Sequence, residues 1–424
     1  MTGRSVAVVG GGWAGLAAAI EARQRGHAVT LYEMAPQLGG RARRVDLDGI
    51  ALDNGQHILI GAYRETLRLI RAVGVDPAVA FVRTPLRLVY PDGHGLQLPP
   101  GSPMWAFARG VMRLRAWRLG DRLALLATAA AWMWRGFRCD ASLTVAQLTS
   151  NLPHAVRADL VDPLCVAALN TPSQTASAAV FLRVIRDALF SGPGSADLLL
   201  PTLRLTELFP GPAAHWLERS GVAVERSHRV DALKADAGRW CVDGTPFDQV
   251  VVATSAAEAA RLIEPIEPGW SAMAATLRYE PIITVYAQCD GVRLAQPMLA
   301  LRSDDAHSPA QFVFDLGQLG GPDGLLGFVI SGAQAWVDRG ADATCTAVLN
   351  QARQMLGRQL RQPLRVQRLL TEKRATFRCT PGLQRPPGSI APRLHAAGDY
   401  VAGPYPATLE GAVRSGVDAV RSIV

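Results

Sequence analysis

The 424 residues exceed what a single hydrophobic core supports, roughly 250 to 300 residues, so two or three interleaved domains with a large buried interior are expected. The chain is 49% hydrophobic and only 19% charged, on the apolar side for a soluble protein and suited to a greasy surface or ligand, yet no apolar stretch nears the ~20 residues needed to span a bilayer. A net charge of +8 permits attraction to an anionic surface, but no Lys/Arg-rich tract or nucleic-acid module accompanies it, which argues against nucleic acid.

Only Lys234 and Lys373 among the 44 basic residues are lysine, a skew that carries no arginine-specific chemistry. The six cysteines are widely separated, with no CxxC pair and no metal-site spacing, and read as reduced core thiols. The apolar run from Val6 is interrupted by glycine within five residues and does not resemble a signal peptide. A cytoplasmic protein, soluble or peripheral on the membrane, is expected.

Taken along the chain, Ser5 to Val9 reads as a buried parallel strand, Ala14 to Arg25 as a helix stopped by Gly26, and Ala28 to Glu33 as a second strand. The loop "MAPQLGGRARRV" follows, then an amphipathic helix from about Tyr63 to Ala72. "LRLVYPDGHGLQL" has the alternation of a hairpin turning at Asp92 and Gly93. From Met104 to Phe137 helix formers dominate, and a helical region is expected to continue to about Phe209, broken by Pro153, Pro163 and Pro172. Gly221 to Thr254 returns to β pattern and ends in the apolar strand Val250 to Ala253. Residues 278 to 335 alternate as an antiparallel sheet would, a helix covers about Asp342 to Leu360, and "RLHAAGDYVAGPYPATLEGAVRSG" gives a strand, a loop and a closing helix.

Gly10, Gly12 and Gly15 fit G-x-G-x-x-G between a strand and a helix. The first glycine permits the tight turn, the second lets backbone N–H groups approach a diphosphate, and the third lets helix and strand pack closely. Trp13 and Ala14 then open a helix whose N-terminus favours an anion. Glu33 ends the second strand 18 residues after Gly15, where its carboxylate suits both hydroxyls of an unphosphorylated ribose. "LGGRARR" brings Gly39, Gly40 and Arg41 within reach of the diphosphate, and "AAGD" sets Gly398 and Asp399 at a strand end, where the carboxylate can accept hydrogen bonds from a ribityl chain. Together these pieces point to FAD.

In these motifs and their order the chain resembles the FAD-dependent amine oxidase and phytoene desaturase superfamily. The resemblance implies an α/β fold: a Rossmann-like, glutathione-reductase-type FAD-binding domain with an interleaved α+β substrate domain that holds an antiparallel sheet and a helical region. The FAD-binding domain is expected from 1–84, 215–256 and 386–424, and the substrate domain from 85–214 and 257–385. The resemblance also puts adenine against the backbone near Val230 and the pyrimidine end of the flavin against the turn and helix start from Ala407, Thr408 and Leu409 to Gly411. "LDNGQHILIGAYRETLRLI" and "PYPATLEGAVRSG" are similar to the hydroxysqualene dehydroxylases of hopanoid synthesis, also called squalene-associated FAD-dependent desaturases.

That likeness implies a thirty-carbon isoprenoid substrate, an external reductant (a reduced nicotinamide nucleotide or a carrier protein) and reductive loss of an allylic hydroxyl. An oxidising desaturase or amine oxidase would share every cofactor motif, and a flavin-free prenyl-lipid carrier shares the fold. His57 is the candidate acid for the departing hydroxyl; otherwise it and Asp53 brace a turn. Tyr405 is a second candidate catalytic residue, and it and Tyr400 alternatively pack on the flavin or the core. Glu410 reads as a solvated or helix-start acid. No metal ligand set is expected. The 103–138 block, with Trp105, Trp117, Trp132 and Trp134 among arginines, is either a helix pair of the substrate domain or a membrane-contact surface.

Overall fold

The computed structural model describes residues 3–47, 49–304 and 306–423, so the extreme ends of the expected FAD-binding domain lie outside the described residues. Its organising element is a six-stranded sheet in the spatial order Ala223–Arg226, Ala28–Glu33, Ser5–Val9, Gln249–Val252, Leu394–Ala396 and Ser389–Ala391. The first five strands run parallel, and only the last edge strand is antiparallel. Parallel strands are covered on both faces, so their side chains are apolar on both. Accordingly Val6 and Val8 enter one core while Ala7 and Val9 enter another.

The first face is covered by the helices Trp13–Gln24, Leu409–Arg421 and Pro210–Arg219. The first helix and the closing helix meet at small residues. A Cβ on Gly416 would lie 2.1 Å from the Ala14 carbonyl oxygen, so only glycine permits the approach. The other face carries helices Ala256–Ile263 and Pro268–Ala275 and the small antiparallel sheet Leu233–Asp236, Arg239–Val242, Thr245–Phe247.

A second, five-stranded antiparallel sheet is ordered Met298–Ala300, Phe312–Asp315, Leu325–Ile330, Tyr279–Gln288 and Arg365–Phe377. Val313, Leu326 and Phe328 face helix Ala341–Leu356, while Phe312, Phe314 and Leu325 face the helices of residues 103–190. The expected α/β architecture with a separate antiparallel sheet is what forms.

The helical run expected to reach Phe209 is interrupted. Leu198–Pro201 is a strand between Leu59–Ile60 and Phe81–Thr84, because its apolar residues pair with segments more than a hundred residues away. Pro163 does not break its helix. It sits in the first turn of Asp162–Leu169, and the preceding turn, Arg157–Val161, widens to a π-helix. Proline lacks the N–H that would bond four residues back, and the Tyr90 hydroxyl donates to the Asp159 carbonyl instead, at 3.2 Å.

Candidate active site

The C-terminal end of Ser5–Val9 turns sharply at Gly10, whose φ is +110° and where a Cβ would sit 2.6 Å from the Ala253 carbonyl oxygen. Gly15 is demanded by packing: a Cβ there would lie 1.8 Å from the Gly10 oxygen. Gly12 differs. Around a Cβ at that position only Gly40 Cα, at 3.9 Å, comes within 4 Å, and Gly12 lines a cavity. The protein leaves room there that a side chain would fill, as a backbone cradle for a diphosphate requires.

That cavity is walled by nearly every residue singled out for the cofactor: Gly10, Gly12, Trp13, Ala14, Glu33, Gly39, Gly40, Arg41, Val230, Gly398, Asp399, Ala407, Thr408 and Leu409. Gly15 lies behind it as a packing residue. Glu33 is buried, accepts from the Gly11 N–H at 2.7 Å on one oxygen and from the Ala35 N–H at 2.8 Å on the other, and still faces the cavity. Two fixed N–H bonds orient a carboxylate whose remaining lone pairs suit a diol. Trp13 is buried against Phe209 and donates from its indole to the Ala42 carbonyl at 3.0 Å, pinning the Gly39–Ala42 loop above the first helix.

Arg41 and Asp399, 358 residues apart, form an ion pair at 2.6 Å, and Arg41 also donates to the Ala375 carbonyl at 2.7 Å. Burial works against the Arg41 charge, but Asp399 outweighs it and holds the guanidinium protonated. Arg41 thus lines the cavity beside Gly39 and Gly40 and also positions Asp399. Gly398 donates to Ser415 Oγ at 2.8 Å and Ala407 to the Asp399 carbonyl at 3.1 Å, which folds the loop back over the start of the closing helix. Thr408 caps that helix, its hydroxyl accepting from the Gly411 N–H at 2.9 Å. The first-turn N–H groups of Leu409 and its neighbours have no partner within the helix and lie at the cavity wall.

His57 lines the cavity, and its Nδ1 lies 2.9 Å from the Gly55 carbonyl oxygen. A carbonyl can only accept, so Nδ1 carries the proton and Nε2 is left as an acceptor. Burial, with a smaller contribution from the Arg41 charge, pushes the imidazole below its ordinary pKa, so the neutral ring is favoured near pH 7. A neutral ring in this tautomer can orient a hydroxyl but has no Nε2 proton to give, which departs from the expected acid role.

Asp53 is turned away from the cavity, where it accepts from the Leu205 N–H at 2.8 Å. Tyr405 is also outside it: its ring lies between Arg414 and Arg183, with guanidinium carbons 4.6 and 5.8 Å from the ring centre. Tyr400 is buried in the core. Glu410 is neither solvated nor a cap of its own helix. Fully buried, it accepts from the Glu65 and Thr66 N–H groups at 3.2 and 2.9 Å and so caps the helix Arg64–Ala72, while Arg414 neutralises it at 2.6 Å.

Sequence reasoning did not single out Asn54, Gln56, Asn170 and Thr376, which add polar groups to the cavity. Asn54 and Gln56 stand in the same "DNGQH" run as His57 and were legible there. Asn170, left-handed at the end of its helix and donating to Thr376 Oγ1 at 2.9 Å, had no local signal. Apolar walls come from Ile58, Ala167, Ala168 and Ile282. Among the described residues no cluster of three or more His, Cys, Asp or Glu is arranged to hold a metal.

Residues 13–424 match the family of flavin containing amine oxidoreductases. Hydroxysqualene dehydroxylase of Sinorhizobium fredii is 26% identical over 437 residues, covering 97% of this chain and 96% of that protein. The protein of the same name from Zymomonas mobilis is 25% identical, with 97% of each chain covered. Zeta-carotene desaturase of Zea mays is 40% identical, but over 72 residues that make up 17% of this chain and 13% of that protein. Among solved structures, an oxidoreductase from Methanosarcina mazei superposes with a TM-score of 0.73 at 17% identity, covering 98% of this chain and 99% of that one. Reduced UDP-galactopyranose mutase superposes with a TM-score of 0.71 at 15% identity, covering 99% and 95%. With a glycine turn, a buried carboxylate held by two backbone N–H groups and a capped helix start walling one cavity, the cofactor is FAD, and the chain belongs to the flavin containing amine oxidoreductase family.

Proposed function

We propose that this FAD-dependent oxidoreductase removes the hydroxyl of hydroxysqualene reductively, giving squalene and water. The observation that carries this is coverage: the hydroxysqualene dehydroxylases align over 97% of the chain, whereas the desaturase of Zea mays aligns over 17%, confined to a shared part. In balance, the substrate carbon loses hydroxide and gains hydride, the departing oxygen takes up one proton, and two electrons enter from an external donor. Bound FAD supplies the two-electron hydride chemistry.

The chain's own residues bind, orient and insulate. Glu33, Gly12 and Asp399 would hold the cofactor's ribose, diphosphate and ribityl portions. The apolar wall of Ile58, Ala167, Ala168 and Ile282 suits a hydrocarbon chain and excludes water that would otherwise capture a cationic carbon. Neutral His57, anchored on Gly55, accepts from the substrate hydroxyl and positions it for departure, and the proton comes from another donor. The reductant is a reduced nicotinamide nucleotide or a carrier protein that visits transiently.

The test is product analysis by gas chromatography. Purified holoprotein, kept anaerobic with a chemical reductant and given hydroxysqualene, yields squalene. Given squalene and air, it yields nothing. Dehydrogenation of squalene, or turnover of a primary amine with hydrogen peroxide release, would overturn the assignment in favour of a desaturase or an amine oxidase. A preparation unable to retain flavin would favour a lipid carrier.

A further inference from the structure

Eight large hydrophobic side chains are strongly exposed among the described residues, and six of them lie between Met104 and Trp134. Trp134 is 88% exposed and Trp105 66%. Helix Leu119–Trp134 explains the concentration. Leu119, Leu123, Ala127, Ala130 and Trp134 recur at helical spacing, fall within an arc of about 80°, and are all exposed. Leu125, Ala129 and Trp132 occupy the opposite face and are buried. The helix is therefore apolar on two faces and covered on one. Helix Pro103–Met112 repeats the arrangement, with Trp105 and Met112 outward and Phe107 and Val111 inward. Arg122 ties the two together by donating to the Met112 and Trp117 carbonyls.

Arg109, Arg113, Arg115, Arg118, Arg135 and Arg138 are exposed around this surface, and none of them forms an ion pair among the described residues. The only acid from 103 to 138 is Asp121, whose carboxylate accepts from the Arg118 N–H at 3.2 Å. Among the described residues no helix is long and apolar enough to cross a membrane.

We propose that this two-helix surface docks the protein on an anionic lipid bilayer, with Trp105, Leu123 and Trp134 entering the headgroup layer and the arginines on lipid phosphates. Charge selects this occupant. A second copy of the chain meeting the same face about a two-fold axis would bring six unpaired arginines against six, and a neutral protein partner would leave them without counter-charge. Indoles and aliphatic side chains flanked by arginine are what an interfacial helix presents to lipid. The buried side of the same helices belongs to the core that includes helix Asp162–Leu169, whose Ala167 and Ala168 wall the cavity. The docking does not depend on which substrate the cavity takes.

The experiment is vesicle flotation of the holoprotein with phosphatidylcholine liposomes, with and without phosphatidylglycerol, at low and high salt. The wild type floats with the anionic vesicles, and floats less as salt rises. Two variants, Trp105→Gln/Leu123→Gln/Trp134→Gln and Arg113→Gln/Arg115→Gln/Arg118→Gln, each partition at least about tenfold less. Because every changed side chain is exposed, both keep the wild-type melting temperature and flavin absorbance. Wild type that stays in solution with anionic vesicles at low salt overturns the proposal. So does an apolar-face variant that floats as wild type does, or a dimer that this variant dissociates while neither form binds lipid.

Discussion

The two glycines that bracket the start of the first helix look equivalent in sequence and are opposite in structure, so alanine at each should fail differently. In Gly15→Ala the added carbon meets the Gly10 oxygen at 1.8 Å. A relaxed carbon–oxygen contact needs roughly 3.3 Å, so the helix must retreat from the strand by roughly 1.5 Å. Overpacking of this kind costs about 1 to 3 kcal/mol or more, against which alanine returns at most about 1 kcal/mol of helix propensity. The apoprotein should lose roughly 2 kcal/mol and melt several degrees lower, and flavin affinity should fall with it. In Gly12→Ala the new carbon has only Gly40 Cα nearby, at 3.9 Å, and a φ of −74° suits alanine. Apoprotein stability should stay within about 0.5 kcal/mol, as for a substitution that removes no packing, while FAD affinity falls at least about tenfold, or 1.4 kcal/mol, because the methyl group occupies the diphosphate's approach. Calorimetry of both apoproteins and titration by quenching of flavin fluorescence separate the outcomes. Gly12→Ala binding FAD like wild type, or melting as low as Gly15→Ala, would refute the assignment of the cradle.

Three further outcomes follow from the buried charges. Burial raises the Asp53 carboxyl from 3.8 to about 6, so the folded state holds its proton longer than the unfolded one; the stability this contributes is full below pH 3.8 and lost as pH rises through 6. Relative to Asp53→Asn, which keeps the acceptor for Leu205, wild type should lose up to about 3 kcal/mol between pH 4 and pH 7 in urea unfolding. Glu410→Ala leaves the Glu65 and Thr66 N–H groups, the Thr66 hydroxyl and Arg414 without their acceptor and should destabilise by about 3 kcal/mol, while Glu410→Gln, which retains an acceptor, loses less. Glu33→Ala strands the Gly11 N–H and removes the diol acceptor, so FAD should bind roughly ten- to a hundredfold more weakly, as read by equilibrium dialysis.

Local physics made the cofactor half of the molecule legible. A strand, a tight glycine turn and an alanine helix are written within twenty residues, and Asp399 lies just beyond the strand Leu394–Ala396, which hydropathy alone marks. What escaped depends on partners far along the chain. Leu198–Pro201 resembles any short apolar run until Phe81–Thr84 pairs with it, and Glu410 resembles a surface acid until the start of the Arg64–Ala72 helix closes over it. Pro163 reads as a stop in sequence because the hydroxyl that satisfies the unbonded Asp159 carbonyl belongs to Tyr90, on another element. Tyr405 lies near Asp399 in sequence, yet the turn of the loop carries its ring to Arg183 and Arg414.

The order in which the parallel sheet is stitched together bears on biosynthesis. Its centre is the strand Ser5–Val9, its neighbour Gln249–Val252 emerges some 240 residues later, and Leu394–Ala396 follows near the end. The helix at Leu409–Arg421 then seats Gly416 on Ala14. A nascent chain therefore makes its glycine turn long before residues 398–412 complete the cavity wall, so full flavin affinity should come only after translation has passed Arg421. Ribosome-bound chains arrested before that point should retain flavin less well than the released protein.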